Sequence, residues 1–184
     1  MTIVYVHKVD SRESKGALAR RLHSHYARKL LAYAAKMEYG VDIACYPEKR
    51  SHMGKPYLEG APFHFNLSHS GDYVVCALSD CEVGVDIEKI VPISLKVMRR
   101  FFGRSILSPK EQMRLWTRYE SYGKMAGIGI PYPAGSEKPC FYREFDDIDR
   151  YYLTVCSPKD EIDGRLILVG DDKNLLPPPA NIPE

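Results

Sequence analysis

The sequence predicts a fold of mixed helices and strands, of the α+β class, and three observations lead to this prediction. Apolar residues recur at helical spacing over one long stretch between Leu18 and Met37. Short apolar runs of strand length follow this stretch, and Ser70-Gly71-Asp72 separates two of them as a turn. A further series of helix and strand signals follows Pro92. The 184 residues are therefore expected to build two consecutive α/β units.

The first unit is expected to begin with a short strand at residues 2–6 and to continue into a long helix. Ser11 and Ser14 are candidate caps for this helix, and Gly40 is its stop signal. One face of the helix is apolar, as expected for a helix that packs on a sheet. The residues of this stripe are Leu18, Leu22, Tyr26, Leu30, Tyr33 and Met37.

Further strands are expected after this helix. Residues 41–46, 73–79 and 83–90 are apolar runs of strand length. Residues 63–67 alternate between apolar and polar side chains, which indicates a strand with one buried and one exposed face. Glycine and proline at residues 54–56 predict a turn.

The second unit is expected to open with a helix over residues 94–102. A second helix begins at Ser108, because a serine cap followed by proline and then by Glu111 is typical of a capping box, and it ends before Gly127. The strands expected after it cover residues 151–156 and 166–169.

These signals divide the chain into two α/β halves, residues 1–90 and residues 91–176, and a tail at residues 177–184. The last ten residues carry four prolines, which is typical of a loose terminus.

Composition excludes several classes of function. The net charge is +2, from 26 basic and 24 acidic residues, so neither a nucleic-acid nor a membrane partner is expected. The five cysteines are odd in number and form no C-x-x-C pair, which argues against a disulfide framework or a zinc site. Cys45, Cys76 and Cys156 lie in apolar, strand-like runs. Without a visible signal peptide or membrane span, we expect a cytoplasmic protein.

Two acidic residues on one predicted strand form the first candidate site. Side chains alternate along a strand, so Asp86 and Glu88 project from one face while Val85 and Ile87 point toward a core. Neighbouring carboxylates repel each other unless a cation lies between them, and hard oxygen ligands suit Mg²⁺. A solvated edge strand explains the same pattern, because most carboxylates in proteins are exposed.

A second candidate site lies on the helix that begins at Ser108. Trp116, Glu120 and Lys124 are four residues apart and share one helical face. A surface ion pair is the more common role of such a spacing. The alternative is that Glu120 offers a third carboxylate to a metal and Lys124 offers a cation to a phosphate.

A third candidate site follows the predicted strand at residues 63–67. Ser68 and His69 stand where this strand approaches a glycine turn, and ligand sites often gather at such places. A lone histidine there is more often simply hydrogen-bonded. Together the three segments supply carboxylates, cations and an imidazole, which are groups that bind metals and phosphates.

These segments resemble the 4′-phosphopantetheinyl transferases of the Sfp (surfactin-synthetase-activating) type. The resemblance covers residues 54–127, and the order and spacing agree except for a shortened link before the last helix. The matching segments are Gly54-Lys55-Pro56, F-N-L-S-H-S at 65–70, G-V-D-I-E at 84–88, P-I-S-L at 92–95, Arg100-Phe101-Phe102 and W-T-x-x-E-S-x-x-K at 116–124.

The resemblance implies two similar α/β halves joined as a pseudodimer, with the active site in the cleft between them. It implies that Asp86, Glu88 and Glu120 hold Mg²⁺, with Mn²⁺ as an alternative ion. It also implies that His69 and Lys124 contact the pyrophosphate of coenzyme A.

The resemblance further implies a nucleotide site and a monomeric protein. Lys55, Pro56 and the region of Ser68 would border the adenine nucleotide. Arg20 or Arg21, near the start of the long helix, would contact the nucleotide as well.

The implied reaction is that of a holo-[acyl-carrier-protein] synthase. The phosphopantetheine arm of coenzyme A is moved onto a serine of an apo acyl or peptidyl carrier protein, and adenosine 3′,5′-bisphosphate is released. Such carriers serve fatty-acid, polyketide or nonribosomal-peptide synthesis. Glu120 would accept the serine proton, while Lys124 and His69 would stabilise developing negative charge.

Residues 90–107 are expected to contact the carrier, which is acidic near its modified serine. A basic patch there would be complementary, and apolar side chains would add contacts. The basic residues are Lys96, Arg99, Arg100 and Arg104, and the apolar ones are Met98, Phe101 and Phe102. The alternative is that the basic residues are merely solvated and the phenylalanines fill a core.

Three departures from the family pattern leave a second function open. Tyr119 replaces the lysine that usually precedes the glutamate, residues 103–107 lack an acidic residue, and no basic segment for the 3′-phosphate is evident near the N-terminus. The second function is a weakened relic that binds coenzyme A or a carrier domain without transfer. A metal-dependent phosphohydrolase is a third possibility, although no second cluster of metal ligands supports it.

Overall fold

The computed structural model describes residues 1–9, 16–103, 107–132 and 137–170. Within these ranges the chain forms nine β-strands, three α-helices and a short 3₁₀ turn. In chain order the strands and α-helices are β1 (Thr2–Lys8), α1 (Ala17–Tyr39), β2 (Glu48–Arg50), β3 (Pro56–Leu58), β4 (His64–Ser70), β5 (Tyr73–Ser79), β6 (Gly84–Lys89), α2 (Leu95–Phe102), α3 (Pro109–Ala126), β7 (Phe141–Phe145), β8 (Tyr151–Ser157) and β9 (Ile162–Val169).

The strands form two main sheets and one small hairpin. The first sheet has the order β4-β5-β1-β9, in which β1 is parallel to β9 and antiparallel to β5. The second sheet has the order β6-β8-β7, and both of its pairs are antiparallel. Strands β2 and β3 pair with each other. The edge strands β4 and β6 belong to different sheets and contact each other.

Side-chain alternation separates two hydrophobic cores. Val4 and Val6 of β1 share one core with Val85 and Ile87 of β6, between the two sheets. The intervening Tyr5 belongs to the core between the first sheet and α1. Helix α3 packs on the outer face of the second sheet, against β6 and β8. The layers are therefore helix, sheet, sheet and helix, and the predicted mixture of helices and strands is confirmed.

The predicted end of the long helix is confirmed. Gly40 adopts a left-handed conformation with φ of 68°, and its N–H group donates to the carbonyl of Lys36. At the other end, Gly16 precedes the helix without a side-chain cap. The predicted caps Ser11 and Ser14 lie outside the described residues.

The predicted apolar stripe of α1 is too long at both ends. Leu18 is 46% exposed and Met37 is 60% exposed, because the helix extends past the sheet that covers its middle. The buried residues of the helix are Leu22, His23, Ala27, Leu30, Leu31, Ala34 and Ala35.

Most predicted strands are confirmed, with one error and three omissions. Strands β1, β5, β6 and β8 match their predictions to within two residues. The strand predicted at residues 41–46 is wrong, because the side chain of Asp42 accepts a hydrogen bond from the N–H group of Ala44 at 2.9 Å and closes the 3₁₀ turn Ile43–Cys45. Cys45 is exposed rather than buried in a strand. Strands β2, β3 and β7 were not predicted.

Both helices predicted for the second unit are confirmed, α2 to within one residue of the range 94–102 and α3 between the predicted signals Ser108 and Gly127. Ser94 caps α2, and Ser108 forms a reciprocal capping box with Glu111 at the start of α3. Gly127 ends α3 in a left-handed conformation with φ of 66°.

The sheets do not divide the chain at residue 90, where the boundary between two halves is predicted. Strand β6 precedes residue 90 but pairs with β8, and β9 follows it but pairs with β1. The division into residues 1–90 and 91–176 therefore stays a prediction, and the tail at 177–184 lies outside the described residues. None of the helices in the described ranges has the length and apolar character needed to cross a membrane.

Candidate active site

Strands β4 and β6 are joined by side chains. The N–H groups of alternate β6 residues donate to the side chains of alternate β4 residues, which satisfies part of an otherwise unpaired strand edge. The pairs are Val85 with Asn66 at 2.9 Å, Ile87 with Ser68 at 3.4 Å and Lys89 with Ser70 at 3.2 Å. This pattern fixes the register between the two sheets.

Ser68 and Ser70, the two serines at this contact between β4 and β6, also bind the carboxylates of β6. Ser68 Oγ donates to Asp86 Oδ1 at 2.9 Å, and Ser70 Oγ donates to Glu88 Oε2 at 2.8 Å. The prediction that the polar face of β4 is exposed is wrong. Strand β6 covers this face and leaves Asn66 and Ser68 each only 6% exposed. The polar side chains of β4 thus hold the acidic residues of β6 in place.

Gly84, the first residue of β6, allows α3 to lie directly on this strand. A Cβ atom at this position would lie 1.9 Å from the carbonyl oxygen of Ser121 and 2.4 Å from the amide nitrogen of Met125. Only glycine lacks the atom that would clash with this backbone. The close approach brings the face of α3 that carries Glu120 and Lys124 to the carboxylates of β6.

Asp86, Glu88 and Glu120 come together at this contact. One oxygen of each carboxylate lies within 4.8 Å of the others, and in the described part of the chain this is the one such group of three possible metal-ligating side chains. Lys124 Nζ lies 2.6 Å from Asp86 Oδ1 and 3.8 Å from Glu120 Oε2, and it donates to Ser68 Oγ at 3.0 Å. The predicted acidic and basic residues therefore form one cluster.

One oxygen of this cluster lacks a partner. Asp86 Oδ2 is buried and has no hydrogen-bond partner among the described residues. Such a buried unsatisfied group costs about 1–3 kcal/mol, and more when it is charged. A divalent cation between the three carboxylates would satisfy this oxygen, and an all-oxygen donor set suits Mg²⁺ or Mn²⁺. The residues present therefore fit a divalent metal ion.

Burial raises the pKa of each carboxyl group in the cluster. For Glu120, burial followed by repulsion from Asp86 raises the pKa to about 7, although Lys124 opposes the rise. For Glu88, burial and then Asp86 raise the pKa. For Asp86, burial raises the pKa against the attraction of Lys124. Three carboxylates share one lysine, so a further positive charge would stabilise their ionised forms.

Lys124 is the cation of the cluster. Burial acts to lower its pKa, but the carboxylates of Asp86 and then Glu120 raise the pKa above its ordinary value. The ammonium group is therefore protonated at neutral pH. It is the group in this cluster that can attract an anionic ligand.

His69 points to the opposite face of β4 from Ser68. Its ring stacks on that of His23 in α1, with centroids 4.8 Å apart and an interplanar angle of 19°. Burial, then His23 and Lys124, lower the pKa of His69. His69 is exposed and beside the cluster rather than among the carboxylates.

Lys55 and Pro56, two predicted nucleotide-binding residues, line a cavity beside Lys124. The cavity has a volume of about 270 Å³ and is also lined by Gly127 and Gly129. The ammonium group of Lys55 donates to the carbonyl oxygens of Val83 at 3.2 Å and Met125 at 3.1 Å, and it pairs with Glu82. Lys55 therefore presents its aliphatic stem and backbone to this cavity, because its charge is already bound.

Arg20 and Arg21 are exposed on the first turns of α1. Arg20 lies three residues before His23, so helical spacing places both on one side of α1. Neither arginine lines the cavity beside Lys124. The structure therefore brings Asp86, Glu88, Glu120, Lys124 and Ser68 together, whereas the predicted role of the two arginines stays a prediction.

Helix α2 carries most of the predicted carrier-binding residues, and these differ in how far they are exposed. Lys96, Arg99 and Arg100 are exposed, whereas Arg104 lies outside the described residues. Met98 is only 1% exposed, so its predicted apolar contact with a carrier is wrong and it belongs to the interior.

The two phenylalanines at the end of α2 pack against α3 and remain half-buried. Phe101 lies 5.5 Å from Trp116 and Phe102 lies 5.9 Å from Tyr119, measured between ring centroids. Tyr119 therefore belongs to an aromatic cluster between α2 and α3. Its hydroxyl group is bound to the backbone of Tyr132 and does not replace the charge of a lysine.

Sequence reasoning missed several residues that build the site. Asn66 and Ser70 extend the contact between β4 and β6 on either side of Ser68. The polar residues at every second position of β4 were the sequence signal for this contact. Gly84 immediately before the acidic strand was a second signal, since a glycine in a strand often marks close backbone approach. His23 gave no signal, because its partner His69 is distant in sequence.

The chain is similar to several known phosphopantetheinyl transferases. It is 34% identical over 157 residues to a 4′-phosphopantetheinyl transferase of Bacillus subtilis, and the match covers 70% of each chain. It is 37% identical over 135 residues to the 4′-phosphopantetheinyl transferase psf-1 of Bacillus pumilus, covering 58% of each. It is 28% identical over 151 residues to the 4′-phosphopantetheinyl transferase Sfp of Bacillus subtilis strain 168, covering 66% of this chain and 67% of Sfp.

These matches are partial in length. The chain spans between 58% and 70% of the length of these three relatives. No family model matches the chain.

Proposed function

Because this chain belongs to the 4′-phosphopantetheinyl transferase family, we propose that its carboxylate cluster is the active site that transfers the phosphopantetheine arm of coenzyme A to a carrier protein. The acceptor is a serine of an apo acyl or peptidyl carrier protein, and the second product is adenosine 3′,5′-bisphosphate. The observation that carries this proposal is the convergence of Asp86, Glu88 and Glu120 within 4.8 Å, with Lys124 beside them.

The three carboxylates would hold Mg²⁺, with Mn²⁺ as the alternative ion. The support is the buried and unpartnered Oδ2 of Asp86 in a set of oxygen donors. When bound, the ion would neutralise charge on the diphosphate of coenzyme A.

Glu120 is the proposed acceptor of the serine proton, directly or through a water molecule. The support is its position, since one of its oxygens lies within 4.8 Å of the carboxylates of Asp86 and Glu88, where the diphosphate is proposed to bind. The serine oxygen forms a bond to the phosphorus that carries the pantetheine arm. The bond from this phosphorus to the bridging oxygen breaks, and the bisphosphate leaves with the electron pair.

Lys124 and His69 are the proposed contacts for the diphosphate. Lys124 is protonated and is bound to both Ser68 and Asp86, so its position is fixed before the substrate arrives. Preorganised donors of this kind stabilise developing charge without rearrangement. His69 is held against His23 and is exposed beside the cluster, near enough to Lys124 for the two charges to interact, so it would contact the diphosphate from the edge of the site.

Coenzyme A is proposed to bind in the cleft between the two predicted α/β halves. Its adenine nucleotide would lie against Lys55 and Pro56, in or next to the cavity of about 270 Å³ that reaches Lys124. The region of Ser68 would border it, and Arg20 is favoured over Arg21 as a further contact because Arg20 shares a side of α1 with His23. Since one chain would supply the whole cleft, we expect a monomer, and we expect it in the cytoplasm.

The carrier is proposed to dock along residues 90–107. Lys96, Arg99 and Arg100 offer an exposed basic surface to an acidic partner. A cavity of about 330 Å³ that includes Glu88, Val97 and Trp116 connects this region with the carboxylates. This position would bring the carrier serine to the cluster.

The intact mass of a carrier protein tests the proposed function. The chain is incubated with coenzyme A, Mg²⁺ and a panel of apo acyl and peptidyl carriers. Transfer adds the mass of one phosphopantetheine group to at least one carrier, and the Asp86→Asn variant abolishes the addition. Binding of coenzyme A without any mass shift would instead support the relic, and free phosphopantetheine without a carrier would support a phosphohydrolase.

A further inference from the structure

Tyr119 directs its hydroxyl group to a loop rather than to a ligand. The hydroxyl accepts a hydrogen bond from the N–H group of Tyr132 at 2.8 Å and donates one to the carbonyl of Tyr132 at 3.0 Å. The Tyr132 hydroxyl donates in return to the carbonyl of Tyr119 at 3.1 Å, and the rings stack with centroids 4.2 Å apart. One side chain thus satisfies both backbone groups of Tyr132.

A second anchor for the same loop lies one helical turn further along α3. The N–H groups of Ile128 and Gly129 point to the carbonyl oxygen of Gly123, at 3.1 Å and 3.4 Å. A Cβ atom on Gly123 would lie 2.8 Å from the carbonyl oxygen of Gly129, so the close approach requires glycine. Because Tyr119 and Gly123 are four residues apart, they share a helical face. Residues 127–132 fold back along this face.

The folded-back loop forms one wall of the cavity beside Lys124. Gly127 and Gly129 line this cavity together with Lys55 and Pro56. A Cβ atom on Gly127 would lie 3.7 Å from Cδ of Lys55, so the loop lies close to the stem of that lysine. The shape of the cavity therefore depends on where the loop is held.

We infer that Tyr119 is a positioning residue for coenzyme A, because it holds residues 127–132 against α3 and so fixes a wall of the nucleotide cavity. This inference rests on the proposed function, which places the nucleotide in or next to that cavity. Both hydrogen bonds of the Tyr119 hydroxyl group are made with the backbone of this loop. Position 119 therefore contributes shape to the site, where a lysine would contribute charge.

The Tyr119→Phe variant tests this role, because it removes the hydroxyl group and keeps the ring. Loss of its two hydrogen bonds frees the backbone of Tyr132, so amide hydrogen exchange of Tyr132 becomes faster by about tenfold. The KM for coenzyme A rises by about three- to tenfold while kcat changes by less than about twofold, since substrate binding and not the chemical step is affected.

The matched control is Tyr122→Phe. It makes the same chemical change on the same helix, but the Tyr122 hydroxyl accepts a hydrogen bond from the N–H group of Lys138 at 2.7 Å. This variant leaves both the amide exchange of Tyr132 and the KM for coenzyme A unchanged. Tyr119→Lys behaves like Tyr119→Phe, because lysine cannot satisfy both backbone groups of Tyr132.

Two results would overturn the inference. One is an unchanged exchange rate and KM in Tyr119→Phe, and the other is a lower KM in Tyr119→Lys, which would make position 119 a charge contact. If Tyr119→Phe fails to fold, Tyr132→Phe takes its place, with a smaller rise in KM expected because only the hydrogen bond to the Tyr119 carbonyl is lost. The dissociation constant of coenzyme A, measured without a carrier, keeps this test separate from a failure of transfer by the unaltered chain.

Discussion

Ser68 of β4 and Asp86 of β6 are joined by a hydrogen bond of 2.9 Å that crosses from one sheet to the other. The same hydroxyl group receives hydrogen bonds from the backbone of Ile87 and from Lys124. One serine therefore links the two sheets, an acidic residue of the candidate site and its lysine. Its position explains why a polar residue is needed on the buried face of β4.

Replacing Ser68 by alanine is expected to destabilise the protein. The substitution removes the partner of the buried Ile87 N–H group and one donor to Asp86, so the free energy of unfolding falls by about 1–3 kcal/mol. Urea denaturation measures this change. Ser24→Ala, at an exposed position of α1, serves as the control and shifts the value by less than about 0.5 kcal/mol. Equal effects of the two substitutions would contradict the role of Ser68.

Replacing Gly84 by alanine is expected to push α3 away from β6. The new Cβ atom would meet the backbone of Ser121 at 1.9 Å, which no side-chain rotation relieves. We expect a loss of stability of about 1–3 kcal/mol or more and weaker binding of a divalent ion, measured by thermal unfolding with and without Mg²⁺. Gly170→Ala is the control, because a Cβ atom there meets nothing within 4 Å. If Gly84→Ala matched this control, close packing would not position α3.

The contribution of Glu120 to the stability of the metal-free protein is expected to fall as pH rises toward 7. Glu120 has a folded-state pKa of about 7 against an ordinary value of 4.5, so the folded state binds the proton more tightly than the unfolded state does. The contribution of Glu120 to the free energy of unfolding is fully present below about pH 4.5 and is lost as pH rises through about 7. The free energy of unfolding changes by roughly 1–3 kcal/mol as a result.

Thermal unfolding in EDTA at several pH values between 4.5 and 7.5 tests this expectation. Glu120→Gln cannot titrate, so the difference in Tm between it and the unaltered protein isolates the contribution of Glu120. Addition of Mg²⁺ should raise Tm most at the higher pH values, where the carboxylates are ionised. A difference in Tm that does not vary with pH would show that Glu120 titrates near its ordinary value.

Much of this site follows from the sequence, and the remainder depends on contacts that local patterns do not encode. Strand alternation placed Asp86 and Glu88 on one face, and helical spacing placed Glu120 and Lys124 on another. Their convergence depends on Gly84, because the backbone of α3 lies directly against this glycine. That backbone comes more than thirty residues later in the chain, so no local pattern reveals the contact. Likewise, the exposed face expected for β4 is buried because a strand from another sheet covers it.

Reversing the charges of Arg99 and Arg100 to glutamate is expected to weaken use of the carrier. Both side chains are exposed on α2, and an acidic partner would then meet like charge, so the KM for the carrier rises by about tenfold or more. The KM for coenzyme A should not change. The double variant Lys36→Glu and Lys138→Glu, at exposed positions outside α2, is the control for net charge. An equal rise of both KM values would reject the basic surface as a docking site.

Calorimetric titration with Mg²⁺ in the presence of coenzyme A tests whether Asp86, Glu88 and Glu120 form a metal site. We predict one ion bound per chain, with an affinity that falls by at least about tenfold in Asp86→Asn because the buried carboxylate loses a charged oxygen. Asp163→Asn, a carboxylate outside the cluster, should bind as the unaltered protein does. Equal affinity of the unaltered protein and Asp86→Asn for Mg²⁺ would show that the carboxylate cluster does not hold the ion.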